Sequence, residues 1–341
     1  MIFGTGGSNL GARALINILN NKLKKKIEFY DNIDPLFFEE SFHNIDFNST
    51  GFVIISKSGS TPETISQFGS IIEKASKENL LSKLFSNCLI ITEFKNSPLY
   101  NLAKDNKCLL LEHSNKIGGR YSVFSNVGMV PAIIANMNVN KIQKGASDFL
   151  NKIEANNHFL IGQLFYFQKD QKISSNVLMT YSDSLYYFGK WYLQLWAESI
   201  GKNNKGITAI HSVGTTDQHS QLQLYLDGPK DKFFTFLTTN HAKKGMLINK
   251  DILNSKEIDY LVGKRMGDLM EAEQYATIDT FKSKDIRFRQ IHLPKIDEET
   301  IGSIMAFSIV ETIATCIYFK VDPFNQPAVE QGKILTKKYL S

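Results

Sequence analysis

Short apolar runs alternate with longer segments of helical periodicity along the first part of this chain. The sequence GFVIIS at Gly51–Ser56 predicts a buried strand, and Leu89–Thr92 and Lys107–Leu111 predict two further strands. Between the first two strands, Glu63–Ser76 has apolar residues at helical spacing. Strands that alternate with helices are typical of α/β layers built around a parallel sheet.

The second half of the chain repeats this organisation. Its apolar runs predict strands at Val177–Tyr181, Lys232–Thr238 and Arg289–Leu293. Longer periodic segments predict helices at Leu185–Ile200 and Glu298–Lys320. We therefore expect two α/β halves that share one kind of fold.

The length of the chain, 341 residues, suits about two domains, because a single domain usually contains roughly 100–200 residues. Residues 131–172 show helical spacing and no clear strand, so we expect them to link the two halves. The expected domains are residues 1–140, then linker helices with a second domain at 141–322. A C-terminal arm at 323–341 comes last, and we expect it to end in a helix.

Composition excludes several classes of protein. The net charge of +5 is weak, and the basic cluster Lys22–Lys26 is better explained as a charged helix end than as a nucleic-acid site. The cysteines Cys88, Cys108 and Cys316 lie in apolar runs without CxxC spacing, which predicts buried free thiols and a reducing, cytoplasmic location. The apolar segment Ile301–Val321 is interrupted by polar residues, so it predicts a buried helix and no membrane span.

A glycine-rich loop, GTGGSNLG at Gly4–Gly11, comes directly after the apolar pair Ile2–Phe3. Glycines allow backbone N–H groups to approach a polar ligand closely. The spacing GxGxxG of a dinucleotide fingerprint fails, because Asn9 stands where the third glycine belongs. The loop therefore predicts either a site for a small polar ligand or a tight turn between a strand and a helix.

The segment SKSGSTPET at Ser56–Thr64 directly follows the predicted strand GFVIIS. Pro62 suits the first turn of a helix, and Ser60 with Glu63 fits a capping box. Several hydroxyl groups at a helix start can bind a phosphate together with the free N–H groups and the helix dipole. The Walker pattern GxxxxGK[ST] is absent, so the sequence predicts a monophosphate cradle, or a well-capped helix without a ligand.

Three further polar side chains could carry chemistry. Arg120 comes after Gly118 and Gly119, so we expect an exposed guanidinium that stabilises an oxyanion, or else a surface salt bridge. Gln194 and Glu198 lie four residues apart on the predicted helix and share one face. A carboxylate among aromatic residues suits proton abstraction next to a carbonyl, although a solvent-facing glutamate is the simpler alternative.

The histidines do not suggest a metal. His211, His219 and His241 are unevenly spaced and form no HExxH pattern, so we expect no metal site. His219 lies at the end of the polar loop Gly214–His219, where it is a candidate acid or base.

Six motifs appear in order along the chain: GGS at 6–8, SKSGST at 56–61, GGRYSVFSNVG at 118–128, QLWAES at 194–199, DQHSQ at 217–221 and FNQPAVEQGK at 324–333. Together they resemble the glucose-6-phosphate (phosphoglucose) isomerase family over nearly the whole chain. The resemblance implies two three-layer sugar-isomerase domains, each a mostly parallel sheet flanked by helices, and a C-terminal helical arm. In the family a helical segment precedes the glycine loop, so the chain is expected to be a fragment or to start at a wrongly chosen codon.

The resemblance also implies roles for individual residues. Positions that bind the substrate and its phosphate correspond to Gly7, Ser8, Ser56, Lys57, Ser58, Thr61, Gly119, Gln194 and Gln326. Catalytic positions correspond to Arg120, which steadies the enediolate, to the base Glu198, and to the ring-opening pair His219 and Lys333. In the tail, Asn325 and Ala328 depart from the family pattern.

The activity implied by the resemblance is the reversible isomerisation of glucose 6-phosphate and fructose 6-phosphate in glycolysis and gluconeogenesis. It needs neither a cofactor nor a metal. The family shares each active site between two subunits of a homodimer, with His219 expected from the partner. The alternative is a regulator of the same fold that binds sugar phosphates without catalysis.

Overall fold

The computed structural model describes residues 1–18, 25–155, 172–249 and 255–341. Part of the basic cluster Lys22–Lys26 and part of the expected linker therefore lie outside the described residues. The chain forms two compact units that interleave along the sequence. The first contains Met1–Asp148, Ser184–Gln194 and Ile296–Ile304, and the second contains Phe149–Asp183, Leu195–Lys295 and Met305–Ser341.

The first unit contains a parallel five-stranded sheet with the order β2-β1-β3-β4-β5. Its strands are β1 (Ile2–Phe3), β2 (Phe29–Tyr30), β3 (Phe52–Ile55), β4 (Cys88–Thr92) and β5 (Leu109–Glu112). All four residues of β3 are buried, which explains its continuous apolar sequence between two layers of helices. The strand order reverses between β1 and β3, and such a switch point opens a crevice at the carboxyl ends of the strands.

The second unit contains a parallel four-stranded sheet with the order β7-β6-β8-β9. Its strands are β6 (Ser175–Thr180), β7 (Thr208–Val213), β8 (Lys232–Thr239) and β9 (Phe288–Leu293). The core beneath this sheet is rich in aromatic rings, and the ring of Phe281 contacts Phe234 and Phe236 edge to face.

Helices connect the strands of both units. In chain order the described helices are α1 (Leu10–Asn17), α2 (Pro35–Phe42), α3 (Pro62–Lys77), α4 (Leu81–Ser86), α5 (Pro98–Asp105), α6 (Asn126–Ile134), α7 (Val139–Ala155), α8 (Tyr186–Ile200), α9 (Leu222–Asp227), α10 (Met266–Ser283), α11 (Glu298–Phe319) and α12 (Glu330–Leu340). The predicted fold class, parallel sheets flanked by helices, is confirmed.

The structure corrects the third predicted strand, which begins at Leu109 and not at Lys107. Lys107 lies just beyond the end of α5 with φ 53°, a left-handed conformation that cannot continue into a strand. Two edge strands, β2 and β7, were not predicted. The first has only two residues, and the second is partly exposed along TAIHSV, so neither has the continuous apolar run of a central strand.

Of the described helices, α11 alone is long and apolar enough to cross a membrane, and 61% of its most apolar stretch is buried inside the protein. Its buried Glu311 accepts hydrogen bonds from both terminal nitrogens of Arg289 on β9. The helix is therefore a core element, as predicted. The cysteines Cys88, Cys108 and Cys316 are buried and free, also as predicted.

Candidate active site

The segment after β3 forms a loop of converging hydroxyl groups. Ser56 Oγ lies 2.8 Å from Thr61 Oγ1, and Ser58 Oγ lies 3.4 Å from the same atom. The loop also bonds to itself, because Gly59 N donates to Ser56 Oγ at 3.2 Å and Ser60 N donates to Ser58 Oγ at 3.2 Å. The three hydroxyl groups are thus held in place before any ligand binds.

Gly59 gives this loop its shape. Its φ is +68°, and a Cβ at this position would lie only 2.2 Å from Ser97 Oγ and 3.0 Å from Thr92 Oγ1. Glycine is therefore required both by the backbone conformation and by the space behind the loop. Gly59 also accepts a hydrogen bond from Leu99 N at 3.0 Å, which ties the loop to the start of α5.

The predicted capping box of Ser60 and Glu63 is wrong. Helix α3 begins at Pro62, its N-cap is Thr61, and the Thr61 side chain makes no capping hydrogen bond. The fixed φ of proline starts the helix one residue later than the box requires. Because Thr61 Oγ1 contacts the other loop hydroxyls and not the backbone, the N-terminus of α3 keeps N–H groups that suit an anion.

Lys57 joins this loop to a second loop of the first unit. Its Nζ donates to Asn115 O at 3.0 Å and lies 3.8 Å from Glu93 Oε1. Asn115 lies three residues before Gly118, so this bond joins the loop after β3 to the segment that leads to the GGR motif. The sequence analysis missed Asn115, because it contributes only a backbone carbonyl and no residue type signals such a contact.

The glycine loop after β1 packs directly on the GGR segment. A Cβ on Gly7 would lie 2.1 Å from the carbonyl carbon of Gly119, so the two backbones are in contact. Ser122 Oγ donates to Gly119 O at 2.7 Å and is 3.3 Å from Gly7 O. Ser122 was also missed, although it lies within the GGRYS motif. Ser8 is half-buried in the same loop.

Gln194 lies against this glycine loop. Gly6 has φ +54°, and a Cβ there would lie 2.8 Å from Gln194 Nε2. The structure therefore brings together Gly7, Gly119 and Gln194, three of the predicted binding residues, within the first unit.

Arg120 does not have the exposed guanidinium that we expected. The residue is only 3% exposed, and its guanidinium carbon lies 5.1 Å from the ring centroid of Tyr121. The backbone of Arg120 lies against the glycine loop, because a Cβ on Gly7 would lie 2.7 Å from Arg120 N. A buried, permanently charged and rigid guanidinium remains well suited to stabilise negative charge on a substrate oxygen.

Glu198 lies one helical turn beyond Gln194 on α8, and both residues are half-buried. The opposite side of this helix carries Trp196, which is fully buried, whereas Trp191, seven residues before Glu198, is buried on the same side as that carboxylate. Trp196 Nε1 donates to Ile207 O at 2.7 Å, a bond within the second unit that ties the last turns of α8 to the segment before β7. The shared face predicted for Gln194 and Glu198 follows from this continuous helix.

His219 is exposed in the loop that follows β7. The loop is shaped by Asp217, whose carboxylate accepts from Val213 N at 2.7 Å and from Ser220 Oγ at 2.9 Å. The exposed imidazole of His219 therefore lies on a turn that Asp217 holds by hydrogen bonds.

The last two predicted site residues lie in the C-terminal arm. Gln326 is exposed, and Lys333 is exposed on α12, where its Nζ donates to Glu330 Oε1 at 2.7 Å. No residue of α12 is buried. The loop of Ser56–Thr61 is thus held by its own hydrogen bonds, whereas the residues of α12 remain at the surface. Among the described residues, no group of three or more His, Cys, Asp or Glu side chains could hold a metal ion.

Comparison with solved structures defines the class of protein. A hypothetical protein from Thermus thermophilus superposes with a TM-score of 0.92 at 27% identity, covering 100% of this chain and 83% of the other. A glucose-6-phosphate isomerase from Chlamydia trachomatis superposes with a TM-score of 0.81 at 22% identity, covering 99% of this chain and 69% of the other. The fold is that of the sugar isomerases.

Sequence comparison defines the family. The phosphoglucose isomerase profile matches residues 1–341. A probable glucose-6-phosphate isomerase of Haloquadratum walsbyi is 32% identical over 98% of this chain and 77% of its own length. The glucose-6-phosphate isomerase of Rubrobacter xylanophilus is 31% identical over 98% of this chain and 80% of its own length. The chain belongs to the phosphoglucose isomerase family, which confirms the resemblance seen in the motifs.

Proposed function

We propose that this chain interconverts glucose 6-phosphate and fructose 6-phosphate through a cis-enediolate intermediate. The observation that carries the proposal is the prearranged hydroxyl cluster of Ser56, Ser58 and Thr61 at the start of α3. Hydroxyl groups and a helix N-terminus together suit a phosphate monoester. We take the substrate, glucose 6-phosphate, from the similarity to relatives described as glucose-6-phosphate isomerases.

In this proposal the loops of the first unit bind and orient the sugar phosphate. Ser56, Lys57, Ser58 and Thr61 bind the phosphate, whose remote binding energy helps to orient the reacting carbons. Backbone groups of Gly7, Ser8 and Gly119 and the side chains of Gln194 and Gln326 contact the sugar.

The chemical steps require a general base and charge stabilisation. His219 and Lys333 open the sugar ring by moving a proton between the ring oxygen and O1. Glu198 then removes the proton from C2 of the aldose, and the electron pair forms the enediolate. The same carboxyl group, whose proton exchanges in part with solvent, delivers a proton to C1 while the hydroxyl proton of O2 passes to O1, which gives the ketose. Arg120 stabilises the negative charge on the oxygen of the enediolate.

We further propose a cytoplasmic homodimer in which the active site is shared between subunits. The exposed arm supports this proposal, because Phe324, Ile334 and Leu340 leave apolar surface uncovered on one chain. A second copy that covers the arm would also bring Lys333 and Gln326 out of bulk solvent.

A coupled assay that follows conversion of fructose 6-phosphate to glucose 6-phosphate tests the proposal. We expect turnover with a chelator present. A folded protein that binds 6-phosphogluconate but shows no turnover would instead support the alternative, a regulator that binds sugar phosphates. A folded protein that does neither would contradict both functions.

A further inference from the structure

Helix α1, which directly follows the glycine loop, contacts the start of α8 through two side chains. The guanidinium carbon of Arg13 lies 4.0 Å from the ring centroid of Tyr187. Asn17 Nδ2 donates to Ser184 O at 2.9 Å. The first turns of α8 are therefore fastened to the element that carries the glycine loop.

Arg13 is itself fixed by partners on another element. Its Nη1 lies 3.2 Å from Asp31 Oδ2, and its guanidinium carbon lies 5.6 Å from the ring centroid of Phe29. The arginine side chain is 25% exposed, so solvent screens these contacts only in part. A planar guanidinium that pairs with a carboxylate and stacks on a ring has little freedom to move.

A second attachment lies further along α8, where Gln194 meets the glycine loop. A Cβ on Gly6 would lie 2.8 Å from Gln194 Nε2, so this contact is close. Tyr187, Gln194 and Glu198 are spaced by seven and four residues, which places all three on one stripe of the helix. The helix is thus held at Tyr187 and at Gln194 along the stripe that continues to Glu198.

We infer that Arg13 is a positioning residue, which sets the rotation of α8 and thereby the orientation of Glu198, whereas Gln194 keeps its own contact with Gly6. The inference rests on the proposed function in one respect, the role of Glu198 as the base. A rotation of the helix would displace that carboxylate, and a displacement of about 1 Å can cost on the order of 100-fold in rate.

The test compares Arg13→Met with a matched control, Lys190→Met. Lys190 Nζ lies 5.4 Å from the ring centroid of Tyr186, so the control removes a similar cation–ring contact that stays within α8. We expect kcat to fall at least about tenfold in Arg13→Met, with the KM and the Kd for 6-phosphogluconate within about twofold of wild type. Arg13→Lys, which keeps the charge facing Asp31, should recover part of the loss, and Lys190→Met should behave as wild type.

A readout that does not require turnover separates this inference from the proposed function. Hydrogen exchange at the amides of residues 187–194 should become at least about tenfold faster in Arg13→Met and stay unchanged in Lys190→Met. If the wild type lacks turnover, the proposed function falls, while the exchange rates still decide whether Arg13 holds the helix.

Two outcomes would overturn the inference. One is an Arg13→Met protein with wild-type kcat or with unchanged exchange rates. The other is a parallel loss of kcat and of 6-phosphogluconate binding, since that pattern indicates general misfolding. Should Arg13→Met fail to fold, Tyr187→Leu removes the other half of the contact and must give the same loss of kcat and the same faster exchange.

Discussion

The two sheets of this protein share one architecture but differ in the chemical groups carried by the segments after their strands. In the first unit, the loops after β1 and β3 are rich in glycines and hydroxyl residues, and the hydroxyl groups of the second loop bond to one another. In the second unit, the candidate groups are ionisable side chains, His219 on an exposed turn and Glu198 on a helix. In the proposed function, the first unit therefore binds the phosphate and the second unit moves protons.

Physical chemistry supports this division. Binding a phosphate requires donors that are already oriented, because reorienting them costs free energy at each binding event. A proton carrier instead needs access to the substrate and to a proton source. Two residues are exceptions: Arg120 lies in the first unit although its proposed task concerns the reacting oxygen, and Gln326 lies in the second unit although its proposed task is binding.

The largest expected effect is that of Glu198→Gln, which removes the proposed base but keeps the size of the side chain. We expect kcat to fall by about 10³-fold or more, because general base catalysis is typically worth about 10²–10⁴-fold. Isothermal titration with 6-phosphogluconate should give a nearly unchanged Kd. Near-normal turnover in this variant would contradict the assignment of the base.

The variant Arg120→Met tests whether this first-unit residue acts on the reacting oxygen. Loss of an oxyanion-stabilising donor typically costs about 10²–10³-fold in kcat, and we expect a value in this range with a smaller change in KM. Arg120→Lys should recover only part of the rate, since an ammonium group cannot reproduce the rigid fork. If only KM changed in Arg120→Met, Arg120 would contribute to substrate binding and not to charge stabilisation during the reaction.

A smaller effect is expected for Thr61→Val, which removes the hydroxyl that contacts Ser56 and Ser58. Loss of one hydrogen bond, worth about 1–1.5 kcal/mol, corresponds to a roughly tenfold higher KM with kcat nearly unchanged. Ser70→Ala on the exposed side of the same helix is the control and should alter neither constant. If Thr61→Val lowered kcat and left KM unchanged, the binding role of the loop would be wrong.

The smallest effect concerns stability and pH. Burial lowers the pKa of His113, which follows β5 and lies near Lys57 and Glu93. The unfolded chain then binds the proton more readily, so stability is complete above about pH 6.5 and is lost as the pH falls towards the folded pKa.

The variant His113→Gln should make the pH dependence shallower, by up to about 1.4 kcal/mol per pH unit in the free energy of unfolding. Urea unfolding between about pH 7.5 and about pH 5.5 measures it. The exposed His43, replaced by Gln, serves as the control. If the free energy of unfolding changed with pH by the same slope in the wild type, His113→Gln and His43→Gln, His113 would not be the cause of the pH dependence.

The sequence predicted the central strands because buried strands carry continuous apolar runs, as FVII of β3 shows. It also predicted that a helix starts directly after the hydroxyl-rich loop, since hydroxyl residues and Pro62 mark a helix start. It could not show that the Thr61 hydroxyl contacts Ser56 and Ser58 and caps no backbone N–H, because those contacts cross the loop. The burial of Arg120 depends on the contact between Gly7 and Gly119, which are more than a hundred residues apart.

The most direct test of the central claim is isomerisation of fructose 6-phosphate in deuterium oxide, followed by nuclear magnetic resonance. The claim is that this chain moves a proton between C1 and C2 through an enediolate with Glu198 as the base. We predict that glucose 6-phosphate appears with deuterium at C2, and that Glu198→Gln gives neither product nor label. Product without any deuterium at C2, or no product from a folded wild-type protein that binds 6-phosphogluconate, would contradict the account.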